Sequence, residues 1–202
     1  MSTRAPIVTP LAFAAAALVL GGLFVAGAAT AAVPQCDGVS FPQQIHAGGQ
    51  TLTLNGLGLR KATFLRIKVY VGALYVAHPT ANAAAILSSP DPVEIDLAFV
   101  FRASASQLRN AWEEGFARSA PGKLAQLRGR INELESRMTG LRSGDRVSFL
   151  RIPGVGIRFT LDGAGQGTIP GDDFATAFLG IWLGPSPPSP ELRAGLLGGP
   201  CT

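Results

Sequence analysis

Apolar and polar residues alternate most regularly over residues 93–101, where Val93, Ile95, Leu97, Phe99 and Phe101 share one face and Glu94 and Asp96 the other. A period of two predicts a half-buried β-strand. A second alternating run starts at Arg66, with Arg66, Lys68 and Tyr70 pointing one way and Ile67, Val69 and Val71 the other. Just before it, Gly56 and Gly58 read as a glycine-punctuated turn that delivers Arg60 to the mouth of this strand. Residues 38–42 form a short extended segment, and Gly48-Gly49 marks a hairpin turn before a strand over 51–54. Further along, strands are predicted over 146–152 and 157–161. Asp162-Gly163 is a strong hairpin signal, so the second of these pairs with a return strand ending at Ile169.

Between and after these strands the period changes to that of a helix. An alanine-rich turn of helix lies within 79–89 and is ended by Pro90 and Pro92. Ser104 and Gln107 have the spacing of a capping box, and behind them Leu108, Ala111, Trp112, Gly115 and Phe116 recur at helical spacing. Pro121-Gly122 breaks that helix. A second follows, with Leu124, Leu127, Ile131, Leu134 and Met138 as its seam and Glu133 and Arg137 as an i,i+4 pair on its solvated surface. After Pro170-Gly171-Asp172 comes a helix whose Phe174, Phe178, Ile181 and Trp182 form an apolar face, ended by Gly184-Pro185. Ser189-Pro190-Glu191 caps a short last helix carrying Leu192, Leu196 and Leu197. Strands, helices, a hairpin and helices again make an α+β pattern.

Composition narrows the class of partner. The 202 residues are 47% hydrophobic and only 15% charged, which allows one domain with a sizeable core plus a leader. The net charge of +4 is spread as single Lys and Arg residues among acids, and aromatics make up 7%, so nucleic acid is not an expected partner. Residues 1–31 have the parts of a secretory signal: Arg4, an apolar run from Leu11 to Ala29, and the small residues Ala29-Thr30-Ala31. Cleavage is expected after Ala31 or Ala32, leaving an exported, periplasmic domain over 36–202. The run is long for a signal, so membrane contact is expected only if the leader stays uncleaved. Lipoprotein processing does not fit, because Val33, Pro34 and Gln35 precede Cys36.

Export changes how the two cysteines read. Cys36 and Cys201 stand at the two ends of the mature chain, in a compartment where disulfides persist, and a bridge between them is expected; two unpaired thiols are the alternative. Chain entropy would credit so long a loop with about 5 kcal/mol, though measured gains are usually smaller. Neither cysteine has a histidine nearby in sequence. His46 and His78 are isolated and read as surface residues, so no metal site is expected, and no cofactor.

Arg60 and Tyr70 are the candidate chemistry. An ordinary edge strand with a solvated basic face is one reading of their surroundings. The other is that both converge on an anionic head group at the end of an apolar cleft, the Arg fork by bidentate hydrogen bonding and the phenol as a single donor. The cleft's dry wall would come from aromatic-rich helix faces, with Trp112, Phe116, Phe178 and Ile181 as candidates. Arg60 should then have no close Asp or Glu partner.

Three segments, GVSFP, GLGLRKATFLRIKVYVGALYV and GTIPGDDFATAFLGIWLG, occur in this order with helices between them. With them the chain, from about Gly38 to Gly198, resembles the chalcone isomerase-like family in its exported bacterial branch. The resemblance implies an open-faced β-sandwich, a large antiparallel sheet with a layer of helices on one face and a ligand cleft between the layers. That family contains plant isomerases that close a chalcone to a flavanone, and proteins that bind fatty acids without known catalysis. Arg60 matches the isomerase arginine, and Tyr70 stands where a carbonyl-polarising threonine is found. The isomerase tyrosine and asparagine fall near Ser106 and Glu113 and do not match; a further polar position falls at Ile181 and also departs. The resemblance thus implies a small apolar carboxylate as ligand, held by Arg60 and Tyr70. The alternatives are an intramolecular lyase on a phenolic or enone substrate, with Arg60 and Tyr70 as the catalytic pair, and a non-catalytic interaction domain.

Overall fold

Seven strands follow one another across a single antiparallel sheet in the order of the chain: β3 (Gln44–Ala47), β4 (Gln50–Ala62), β5 (Ile67–Val76), β6 (Val93–Phe99), β7 (Arg146–Ile152), β8 (Gly156–Leu161) and β9 (Ala164–Pro170). The computed structural model describes residues 1–2 and 32–202, so residues 3–31 of the expected leader, its apolar run included, lie outside the described residues. A two-stranded hairpin, β1 (Gln35–Cys36) with β2 (Val39–Ser40), precedes the sheet. Among the described residues, five helices fill the longer connections and the C-terminal end: α1 (Ala83–Leu87), α2 (Ala105–Ser119), α3 (Leu124–Arg137), α4 (Asp172–Leu183) and α5 (Pro190–Leu196). Among the described residues, no helix is long and apolar enough to cross a membrane.

Local chemistry places most of these boundaries. Gly48 and Gly49 both adopt positive φ between β3 and β4, and Asp162 and Gly163 do so between β8 and β9, as two-residue hairpin turns require. At the start of α2, the Ser104 hydroxyl accepts from the Gln107 backbone N–H while the Gln107 side chain accepts from the Ser104 N–H, closing the capping box.

The sheet's two faces have separate cores. Leu74, Val76, Val93, Ile95, Leu97, Phe99, Val147, Phe149, Ile157, Phe159 and Ile169 turn towards the helices and pack with Trp112, Phe116, Leu127, Ile131, Leu134, Phe174 and Phe178. On the opposite face Leu52, Leu57, Leu59, Val71, Ala73, Tyr75, Ala98 and Leu150 pack under Cys36 and Phe41. This is the open-faced sandwich with one helix layer; among the described residues its second face is covered by the N-terminal hairpin, the segment after it and Cys201. Cys36 and Cys201 are disulfide-bonded, with Cα atoms 6.0 Å apart.

Four features depart from the local reading. Gly56 and Gly58 form no turn, since β4 runs unbroken through both. They lack a side chain because α5 lies against them: a Cβ on Gly56 would come 2.1 Å from the Gly195 carbonyl oxygen, and one on Gly58 2.4 Å from that of Leu192. Arg66 belongs to the β4–β5 turn, with φ 53°, and the strand starts one residue later. Phe101 leaves the strand and is 45% exposed. Finally, α4 exposes Asp172, Asp173 and Thr176, but from Ala177 to Leu183 it is buried on every side rather than on one face, as expected of a segment apolar all round.

Candidate functional site

At the end of the sheet where β4, β5 and β6 meet, one row of side chains crosses three strands. Arg60 stands directly opposite Tyr70, and Tyr70 opposite Phe99. Directly opposed residues of antiparallel strands share a face, so Arg60, Tyr70 and Phe99 all turn towards the helix layer. The rings of Tyr70 and Phe99 lie 5.4 Å apart, centroid to centroid. Just beyond this row the β4–β5 register slips between Arg60 and Lys61, so that Lys61 pairs with Lys68 and Val69 is left over. The slip reverses the parity of β5. Lys68 is therefore not on the face of Tyr70, as simple alternation predicts. It reaches the other side of the sheet, where it forms an ion pair with Asp37 of the β1–β2 turn.

The row opens into a cleft of about 250 Å³ between the sheet and the helices. Its floor is made by Ala62, Ile67, Val69, Tyr70, Leu97, Phe99, Val147 and Phe149, and its roof by Leu108, Ala111, Trp112, Met138, Leu141, Ile181 and Trp182. Charged groups in the lining are confined to Arg60, Arg102, Arg118 and Glu114, and the last two pair with each other at 3.6 Å. Gly115 lets the roof close, because a Cβ there would meet Ile181 Cγ2 at 2.9 Å.

Arg60 is half-buried and donates to the carbonyl of its neighbour Lys61. Among the described residues it has no carboxylate within ion-pair distance. Tyr70 is also half-buried, and its hydroxyl oxygen accepts a hydrogen bond from Trp182 Nε1 at 3.0 Å. Burial pushes the Tyr70 hydroxyl up from the usual phenol range, against the smaller opposing pulls of the Trp182 hydrogen bond and the Arg60 charge. The phenol therefore stays protonated at neutral pH. Because an indole N–H can only donate, Trp182 leaves the Tyr70 proton free to be given elsewhere.

Of the four candidate wall residues, Trp112 and Ile181 line the cleft. Phe116 and Phe178 lie behind it, fully buried in an aromatic cluster with Phe174; the Trp112 and Phe178 rings are 5.5 Å apart. Ser106 lies 3.0 Å from the Ser104 hydroxyl and Glu113 pairs with Arg128, so neither position contributes to the lining. Sequence reasoning missed three contributors. Along the sequence Trp182 belongs only to an apolar helix face, though a buried indole generally finds an acceptor. Phe99 joins Tyr70 through strand register, and Arg102 enters from the connection to α2; neither leaves a local signal. His46 and His78 are exposed, and among the described residues no group of three His, Cys, Asp or Glu side chains could hold a metal ion.

An antiparallel sheet with helices on one face and an apolar cleft between the layers defines the class of protein. Within it, the chain belongs to the chalcone isomerase-like family, whose model matches residues 32–198. Among solved structures, a fatty-acid binding protein of Arabidopsis thaliana is similar with a TM-score of 0.64, covering 79% of this chain and 92% of its own at 19% identity, a likeness of fold. No curated protein matches the chain.

Proposed function

We propose that the protein is an exported, periplasmic binding protein for a fatty acid or similar apolar carboxylate, with Arg60 and Tyr70 as ligands of the head group and Trp112 and Ile181 among the walls of the chain's path. The observation that carries this reading is Arg60: a half-buried guanidinium with no acid partner among the described residues, opposite a phenol with a free proton, at the polar end of an apolar cleft. A guanidinium in such a place favours a carboxylate over a neutral ligand. Apolar lining suits an acyl chain, and the volume, just below the ~300–1,000 Å³ of drug-sized sites, favours a slim one. The similar Arabidopsis protein is described as a fatty-acid binding protein, which agrees. The disulfide and the signal-like leader support export.

An intramolecular lyase would draw on the same pair, but it finds less support: Ser106 and Glu113 are turned to other partners, and Ile181 offers the cleft only hydrocarbon.

Native mass spectrometry of gently purified protein, followed by a fatty-acid titration over chain length, tests the proposal. A bound acyl chain is expected in the wild type. Loss of one charge-assisted contact in Arg60→Ala should weaken affinity roughly ten- to a hundredfold. Loss of the neutral donor in Tyr70→Phe should cost about three- to tenfold. A wild-type protein that is empty and binds no fatty acid of any length would sink the reading, and turnover of a chalcone above background would move it to the lyase.

A further inference from the structure

At the edge of the cleft, the β4–β5 hairpin continues past its last pairing with β6. The last backbone contact with the chain after β6 is at Val69, whose carbonyl accepts from Val100 and Phe101. From there Lys61 with Lys68 and Ala62 with Ile67 extend the hairpin alone, roughly 7 Å of paired strand, before the turn 63–66. At the tip the two adjacent side chains Phe64 and Leu65 are 92% and 66% exposed. Thr63 and Arg66 on either side both have positive φ, uncommon for residues other than glycine, and the Arg66 N–H closes the turn on the Thr63 carbonyl at 3.1 Å. A closed turn thus presents the apolar pair outwards.

The surroundings of the tip are basic. Lys61 and Arg66 flank it, with Lys68 directly across the hairpin from Lys61. Two acids offset them in part: Asp37 pairs with Lys68, and Glu191 of α5 lies in the field of Arg66 and Lys61. Arg102, across the cleft mouth, has no ion-pair partner among the described residues.

We propose that the β4–β5 hairpin tip, Phe64 and Leu65 framed by Lys61 and Arg66, docks the protein on an anionic phospholipid bilayer. The chemistry is that of interfacial anchors: apolar side chains enter the region about 5–10 Å deep at the headgroup–acyl boundary while flanking cations stay among anionic headgroups. The overhang matches that depth. A protein partner would call for a shaped apolar surface around the pair, whereas here the two side chains stand alone on a narrow tip among charges. Since Ala62, Thr63 and Ile67 of the same hairpin line the cleft, docking sets its mouth, with half-exposed Phe101 on the far edge, against the bilayer. A route for an apolar carboxylate between bilayer and cleft rests on the ligand reading above; the docking itself does not.

The Phe64→Trp variant of the full chain tests it at the tip, independently of any hold the leader has on lipid. Trp112 and Trp182 are buried, so the wild type serves as blank. With vesicles of phosphatidylglycerol and phosphatidylethanolamine, the variant's emission should shift to the blue and be quenched by bromine-labelled acyl chains. With phosphatidylcholine alone the response should need roughly tenfold more lipid. Adding Leu65→Ser to the reporter variant should weaken the response roughly tenfold, and Lys61→Glu with Arg66→Glu should abolish the preference for anionic lipid. An emission spectrum unmoved by saturating anionic vesicles, in protein whose circular dichroism is native, overturns the proposal. So does an equal response to neutral vesicles. Neither result bears on the fatty-acid titration, which is read without vesicles.

Discussion

Glu94 and Asp96 stand two residues apart on β6, on the sheet face away from the helices, where Glu94 lies opposite Tyr75 on one side and Leu150 on the other. Burial, with a smaller push from the charge of Asp96, raises the Glu94 carboxyl to about 7. Burial also raises Asp96, although Arg146 pairs with it at 3.1 Å and pulls the other way. The folded protein thus holds the Glu94 proton more tightly than the unfolded chain does. The contribution of Glu94 to stability is greatest while it is neutral in both states and falls as the pH rises from the ordinary 4.5 through about 7, because ionisation then costs more in the fold. The Glu94→Gln variant should lose less stability than the wild type between pH 5 and pH 8, by at most about 3 kcal/mol. Urea unfolding at both values checks this, and parallel behaviour of the two proteins would refute the assignment. Arg60 differs from these carboxylates in kind: it donates to the Lys61 carbonyl but has no carboxylate partner among the described residues.

At the level of elements, the seat of α5 on β4 depends on glycine from both sides. A Cβ on Gly195 would come 2.3 Å from the Leu57 carbonyl oxygen, the reciprocal of the clashes at Gly56 and Gly58. The Asn55 side chain adds a hydrogen bond to the Leu196 carbonyl at 2.8 Å. Gly58→Ala should therefore force α5 away from the strand that carries Arg60, at about 1–3 kcal/mol. Gly129 on α3 makes the contrast: it is exposed, helical, and has nothing within 4 Å of a built Cβ. There alanine should stabilise by about 0.5–1 kcal/mol, by helix propensity alone. Thermal denaturation of the two variants should move the midpoint in opposite directions, and a midpoint that does not fall in Gly58→Ala would show that the seat is not close-packed.

Over the whole molecule, the Cys36–Cys201 bridge ties the N-terminal hairpin to the end of the chain, 165 residues apart. The hairpin is short, and its cover over Leu57, Val71 and Tyr75 is otherwise held by Phe41, by the Lys68–Asp37 pair, and by the bonds from Arg146 to the Ser40 carbonyl and Tyr75 to the Pro42 carbonyl. Replacing both cysteines by serine should cost about 2–5 kcal/mol. The loss should appear as a lower unfolding midpoint, with a matching fall when the wild type is reduced. An unchanged midpoint under reduction would mean that the noncovalent contacts hold the cover by themselves.

Much of this architecture is written locally. The alternation of β6, the turns at Gly48-Gly49 and Asp162-Gly163, the Ser104/Gln107 capping box and the seam of α3 were legible because each depends on residues a few positions apart. Residue types likewise singled out Arg60 and Tyr70 as candidates, which the structure sets opposite each other, and pointed to a bridge between Cys36 and Cys201. What the sequence could not determine is which groups meet across the fold. The register that sets Arg60 opposite Tyr70, and the slip beside it that sends Lys68 to Asp37, follow from strand pairing and not from parity along one strand. Gly56 and Gly58 looked like a turn because glycine serves bends and close approaches equally well, and α5, more than 130 residues on, decides between them. Trp182 becomes the hydrogen-bond donor to Tyr70 only when α4 is laid on the sheet. Periodicity encodes which face is apolar; packing alone decides what each face is pressed against.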